Sequence, residues 1–196
     1  MNTTAEVVSS DLEELILVNS NDEPIGTMPK VNCHLNDGTL HRAFSIFIFN
    51  TSGEVLLQKR SEQKMLWPMY WSNTCCSHPR AGESSEEAAH RRLKQELGIE
   101  ADLSYLYKFE YRAPYEDIGS EHELCWVWLG VTDAKSIVAN PHEISDWRFF
   151  SKEELDHELD INPDEYTPWM KMEWQCIFSD YADLVPKNDA RSSLSD

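Results

Sequence analysis

The run AFSIFIF at residues 43–49 constrains this chain more than any other stretch. It is a nearly unbroken apolar strand with no alternation that would leave one face in water, so both faces must be covered. Such a strand belongs inside a sheet with helices packed above and below, and the sequence supplies the helices. SSEE at 84–87 has the pattern of a capping box and Gly98 that of a helix stop. Together they predict a helix over 85–97 with Ala89, Leu93 and Leu97 on its buried stripe. SKEE at 151–154 opens a second helix, and Thr167-Pro168 begins a third that carries Trp169, Met172 and Trp174. The expected fold class is α/β (α+β), with a mixed β-sheet between helices.

Further strands are expected at 15–18, ending in the turn NSND, and at 54–60, 103–113, 121–131 and 147–151. Asp37-Gly38 is a two-residue hairpin signal. Folding about it would pair Leu35 with Leu40 and His34 with His41, placing the two imidazoles opposite each other with Cβ atoms ~5 Å apart. A single domain is expected over 12–185, flanked by a flexible start at 1–11 and a disordered Ser/Asp-rich tail at 186–196.

The 196 residues hold 17 Lys+Arg against 35 Asp+Glu, a formal charge of −18. That balance argues against nucleic acid or an anionic membrane surface as a partner. An anionic ligand would need cations gathered at one place. The first residues, MNTTAEVVSSDLEE, have neither the basic start nor the apolar core of a signal peptide, and no apolar run approaches the ~20 residues of a membrane helix. Five cysteines without scaffold spacing point to reduced thiols and a cytoplasmic location.

The chemistry concentrates in WSNTCCSHP at 71–79, where Cys75 and Cys76 precede His78. Adjacent cysteines bridge only under strain, and the pair does not match a zinc-finger spacing. Cys76 would become reactive only beside a cation, which His78 with a bound metal would supply. Along the strand at 121–131, Glu121 and Glu123 head an otherwise apolar row, ~7 Å apart. His34, His41, His78, Glu121 and Glu123 together would suit a borderline divalent ion such as Zn²⁺ or Mn²⁺. His90, His122, His142 and His157 have the ordinary reading of surface or core residues. Arg92 and Glu96 lie four apart on the 85–97 helix, a spacing that most often makes a surface ion pair.

The segment from Glu83 to Ile99 resembles the Nudix box, G-x5-E-x7-R-E-U-x-E-E-x-G-U. Arg91, Leu93, Glu96, Gly98 and Ile99 fit. Ser77 stands at the opening Gly, and Arg92 and Gln95 replace two of the helical carboxylates. Adding the two histidines at 34 and 41, the 73–79 loop, Glu121-His-Glu123, Tyr111-Arg112-Ala113 and Thr167-Pro-Trp169, the chain resembles the type I isopentenyl diphosphate isomerases from about residue 15 to 181.

That resemblance implies a Nudix-like α/β/α sandwich and a prenyl diphosphate substrate, isomerised by acid–base 1,3-proton transfer. It implies a metal, Mn²⁺ or Zn²⁺ (or Mg²⁺), held by His34, His41, His78, Glu121 and Glu123. Mg²⁺ carried with the diphosphate would be met by Glu96. Cys76 and Glu123 would form the catalytic pair, with Tyr111 assisting; Glu123 is the candidate acid and Cys76 thiolate the candidate base, with the order of the two protons left open. Lys30, Arg60, Lys64 and Arg92 would hold the diphosphate, and Trp169 would offer its ring face to the cationic centre or pack in the core. No flavin or nicotinamide is called for, and a monomer or weak dimer is expected. A Nudix hydrolase and a non-catalytic metal-binding module are the rival readings.

Overall fold

In the computed structural model, residues 6–133 and 136–187 are described. The strands are β1 (Glu14–Val18), β2 (Pro24–Pro29), β3 (His41–Phe49), β4 (Val55–Arg60), β5 (Trp71–Ser72), β6 (Cys75–Ser77), β7 (Leu103–Tyr115), β8 (Gly119–Val131) and β9 (Ile144–Phe150). The helices are α1 (Lys30–Cys33), α2 (Ser85–Leu97), α3 (Lys152–Ile161) and α4 (Pro168–Asp180).

The apolar run becomes β3, the spine of a mixed sheet. It lies parallel to β8, from His41 opposite Glu123 to Phe49 opposite Val131, and antiparallel to β1, β4 and β6. Alternate side chains divide the core into two layers. Phe44, Ile46 and Ile48 pack against Ala89, Leu93 and Leu97 of α2, while Ala43, Phe47 and Phe49 pack against Trp169, Trp174 and Ile177 of α4. Each fully buried Leu, Ile or Phe contributes about 1.5–3 kcal/mol, and the two layers require the helices on both faces that the sequence implied. The α2 boundaries follow the capping signals: Ser84 accepts from the Glu87 amide and the Glu87 side chain accepts from the Ser84 amide, while Gly98 closes the helix at φ +67°.

Several local expectations change. The segment around Asp37-Gly38 is not a hairpin. Residues Lys30–Cys33 form a short helix after Pro29, and a loop with left-handed Asn36 (φ +54°) and Gly38 (φ +74°) returns the chain to β3. The loop lies so close to β8 that a Cβ on Gly119 would stand 2.1 Å from the His34 carbonyl oxygen. Strand β2 escaped the sequence because it is a largely exposed edge strand with a proline at each end and no alternation. Met172 faces outward, whereas Trp169, Met170, Trp174 and Ile177 face the core. Residues 6–11, expected to be loose, are tied down: Val8 is buried, and its carbonyl accepts from Arg92 Nη1 at 2.6 Å. The expected loose tail lies, from residue 188 on, outside the described residues, as do residues 1–5. Among the described residues, no helix is long and apolar enough to cross a membrane.

Candidate active site and metal centre

Strand register assembles the site. His41 is the parallel partner of Glu123, Tyr111 the antiparallel partner of Glu123, and Ser45 the partner of Cys76. His34 ends α1 and His78 follows β6, so five separate segments meet, α1, β3, β6, β7 and β8. The three imidazole centroids lie 4.9, 4.9 and 5.4 Å apart. One ligand atom from each of His34, His41, His78, Glu121 and Glu123 lies within 4.8 Å of every other, and all five residues are buried. The sequence brought the right histidines together, but for the wrong reason. A helical turn and a loop, not a hairpin ladder, set His34 against His41.

The cluster has the chemistry of a cation site. His34 Nδ1 donates to the Lys30 carbonyl and His41 Nδ1 to the Thr39 carbonyl, both at 2.7 Å. A carbonyl can only accept, so each ring carries a proton on Nδ1 and, while neutral, turns a bare Nε2 lone pair inward. His34 Nε2 then stands 2.8 Å from Glu121 Oε2, and neither Glu121 Oε2 nor His41 Nε2 has a hydrogen-bond partner. Lone pairs facing one another in a buried place need a cation between them. Protons do not fill that need across the cluster. Burial, reinforced by His34, pushes His41 down to about 3, and burial with His41 and His34 pushes His78 well below the usual imidazole range. Burial works to raise both carboxyls; the facing imidazoles nonetheless pull Glu121 down, while Glu123, burdened further by the Glu121 charge, is pushed up. Neutral imidazoles beside carboxylates fit a borderline divalent ion.

All the predicted site residues except His41 and Glu96 line one cavity of about 160 Å³, far beyond the ~10–15 Å³ that one water needs. His41 adjoins it within the histidine cluster. Glu96 lies behind Arg92, its Oε1 2.7 Å from Arg92 Nη2. This is not the surface ion pair its spacing suggested: Arg92 is 2% and Glu96 1% exposed. A buried ion pair is costly to desolvate and is weak evidence for stability, so a cation kept here points to a ligand. Lys30, Arg60 and Lys64 converge on the same cavity, giving an acidic chain a local basic wall.

The alternation of β6 separates the two cysteines. Cys75 points into the apolar layer beneath α2 and Cys76 into the cavity. Burial pushes the Cys76 thiol up to about 11, against the pull of Arg60, whose Nη1 is 3.4 Å from Sγ. One expectation is corrected here. The cation touching Cys76 is Arg60 rather than His78, and burial outweighs its pull on the thiol. Tyr111 donates to Glu123 Oε2 at 2.7 Å, and His78 Nε2 lies 3.0 Å from Glu123 Oε1. Trp169 is 2% exposed, hydrogen-bonds Asn73 through Nε1 at 3.2 Å, and has the Arg60 guanidinium 5.3 Å from its ring centroid. It is thus both packed and part of the wall.

Sequence reasoning missed Glu143. It is buried, pairs with Lys64, and lies 3.3 Å from Arg92 Nη2. No local pattern marks it, since it sits in a turn before β9. His142, given the ordinary reading, lines the cavity mouth with Gln63, 3.3 Å from Nδ1.

A NUDIX domain model matches residues 39–170. The chain is 42% identical over 176 residues to "Isopentenyl-diphosphate Delta-isomerase 1" of Photorhabdus laumondii, covering 89% of this chain and 99% of that protein. It is 38% identical to the protein of the same name from Bos taurus, covering 85% and 87%. A solved Deinococcus radiodurans structure superposes with a TM-score of 0.68 at 22% identity, covering 84% and 99%, and a Caenorhabditis elegans Ap4A hydrolase with 0.53 at 19%, covering 72% and 98%. At that identity the two structures speak for the fold alone. The fold, the cavity and this likeness along nearly the whole length of the relatives agree: the chain belongs to the NUDIX-domain family and, within it, to the isopentenyl-diphosphate Delta-isomerases.

Proposed function

We propose that this cavity isomerises isopentenyl diphosphate to dimethylallyl diphosphate by moving one proton onto C4 and another off C2. The observation that carries the reading is that Cys76 and the Tyr111–Glu123 pair share one cavity with a wall of cations. Lys30, Arg60, Lys64 and Arg92 bind the diphosphate oxygens. Arg60 reaches both ends of the problem, since its guanidinium also touches Cys76 and Trp169. An alkene is a feeble base, so its protonation demands an acid shielded from water, and Leu66, Trp67 and Trp169 supply that apolar shield. Cys76 and Glu123 are the acid–base pair. Tyr111 holds Glu123 in place and shares its proton. The Trp169 ring face stabilises the tertiary cationic carbon, worth about 2 kcal/mol when desolvated.

A divalent ion, Mn²⁺ or Zn²⁺ (or Mg²⁺), held by His34, His41, His78, Glu121 and Glu123, would supply fixed positive charge beside Glu123. Glu96, the oxygen donor expected to meet Mg²⁺ carried with the diphosphate, is paired with Arg92 and would serve only where that guanidinium turns to the diphosphate. The requirement for a free Cys76 suits a reducing cytoplasm.

The test is incubation with isopentenyl diphosphate and Mg²⁺ in D₂O, followed by proton NMR. Deuterated dimethylallyl diphosphate is the expected product. Released phosphate would mark a hydrolase instead, which Arg92 in place of a helical carboxylate disfavours, and an unchanged spectrum over hours would sink both readings.

A further inference from the structure

We propose that Glu143 is a specificity-determining residue that makes the cavity favour a diphosphate accompanied by a divalent cation over the bare diphosphate. The inference rests on the diphosphate reading above. Glu143 is 2% exposed and stands among the cations assigned to the diphosphate. Its Oε2 pairs with Lys64 Nζ, and its Oε1 lies 3.3 Å from Arg92 Nη2. Lys64 and Arg92 hold its carboxyl down to about 2 despite its burial, so it is ionised throughout the physiological range. No reacting group touches it, and nothing in the proton transfers uses it.

A fixed carboxylate in this place acts as an internal anion. It occupies the donors an incoming diphosphate must use and repels that diphosphate in proportion to its charge. A fully ionised diphosphate monoester is a trianion. Its complex with a divalent cation is a monoanion, repelled about a third as strongly at the same distance. Glu143 therefore weakens binding of the bare ligand far more than binding of the complex. The benefit is release as well as selection, because substrate and product share the diphosphate and a cavity of unopposed cations would hold both.

The experiment is calorimetric titration of the full chain with inorganic pyrophosphate, with and without added Mg²⁺, after gel filtration into buffer free of divalent cations. Wild type is expected to bind about tenfold or more tightly with Mg²⁺. Glu143→Gln is expected to narrow that ratio by gaining about tenfold in the cation-free arm, while Glu143→Asp, which keeps the charge, retains the wild-type ratio. Lys64→Gln should widen the ratio, which keeps the test open should Glu143→Gln fail to fold. An unchanged ratio in either neutral variant would overturn the proposal. So would loss of pyrophosphate affinity by Glu143→Gln in both arms, the signature of a carboxylate that merely positions Lys64 and Arg92. No binding by wild type in either arm would instead overturn the diphosphate reading itself.

Discussion

Tyr111 and Glu123 are cross-strand partners in the β7–β8 hairpin, and the Tyr111 hydroxyl donates to Glu123 Oε2 at 2.7 Å inside the cavity wall. The register of a hairpin thus fixes the geometry of the pair proposed to move the proton. Tyr111→Phe removes the donor and leaves the ring packed against Phe109 and Trp169. Turnover should fall about 10²-fold, with KM for the diphosphate substrate little changed and the melting temperature close to wild type. Glu123→Gln should lose several orders of magnitude. Steady-state kinetics on the two variants checks both, and unimpaired kcat in Tyr111→Phe would remove Tyr111 from the mechanism.

The neighbouring thiols should give opposite phenotypes. Cys76→Ala is expected to abolish turnover by orders of magnitude with a normal melting curve. Cys75→Ala keeps most activity but loses about 1 kcal/mol of stability, because Cys75 fills the packed layer under α2. Near-normal rates in Cys76→Ala would refute its assignment.

Removing an ion held by the proposed metal centre should destabilise the fold. Ligands drawn from α1, β3, β8 and the β6–α2 connection are cross-linked when a cation sits among them. Saturating metal at 100–1,000 times Kd should add about 3–4 kcal/mol, seen as a melting temperature that falls with chelator and recovers with Zn²⁺ or Mn²⁺. His41→Ala should show no such metal-dependent shift.

Glu173 provides a test by pH. Burial raises its carboxyl to about 8, against hydrogen bonds with Ser45 and Cys125, and its Oε2 has no partner. The folded pKa lies above the ordinary carboxylate value, so the native state binds the extra proton. Stability from this group is complete below about pH 4 and declines as pH rises towards 8. Glu173→Gln should abolish that decline and raise the melting temperature at pH 8, at about 2–4 °C per kcal/mol for a chain of this size. Parallel pH–melting curves for variant and wild type would contradict the assignment.

Much of the fold was legible because its signals are local. The unbroken apolar run at 43–49 could only be a doubly covered strand, and the Ser84–Glu87 box with Gly98 marked both ends of α2. Strand β2 was illegible because an exposed edge strand has no burial to impose a pattern. The Asp37-Gly38 turn misled because its dihedrals serve an irregular loop as well as a hairpin; what decided between them was Pro29 on one side and the close passage over Gly119 on the other.

The sequence by itself determined the chemistry: three histidines, two carboxylates on one strand face, a thiol in a polar loop and four cations in an acidic chain, all residue types that no core requires in such number. Residue type travels with the sequence, whereas the strand that sets Cys75 and Cys76 on opposite faces shows only in the pairing of β6 with β3. Only the tertiary structure decided that Arg92 and Glu96 are buried rather than exposed, that Arg60 rather than His78 touches Cys76, and that Glu143 stands among the cations lining the cavity. Burial and charge proximity depend on elements distant in the chain packing against one another, and desolvation, which pushes the Cys76 thiol up, exists only once that packing has excluded water.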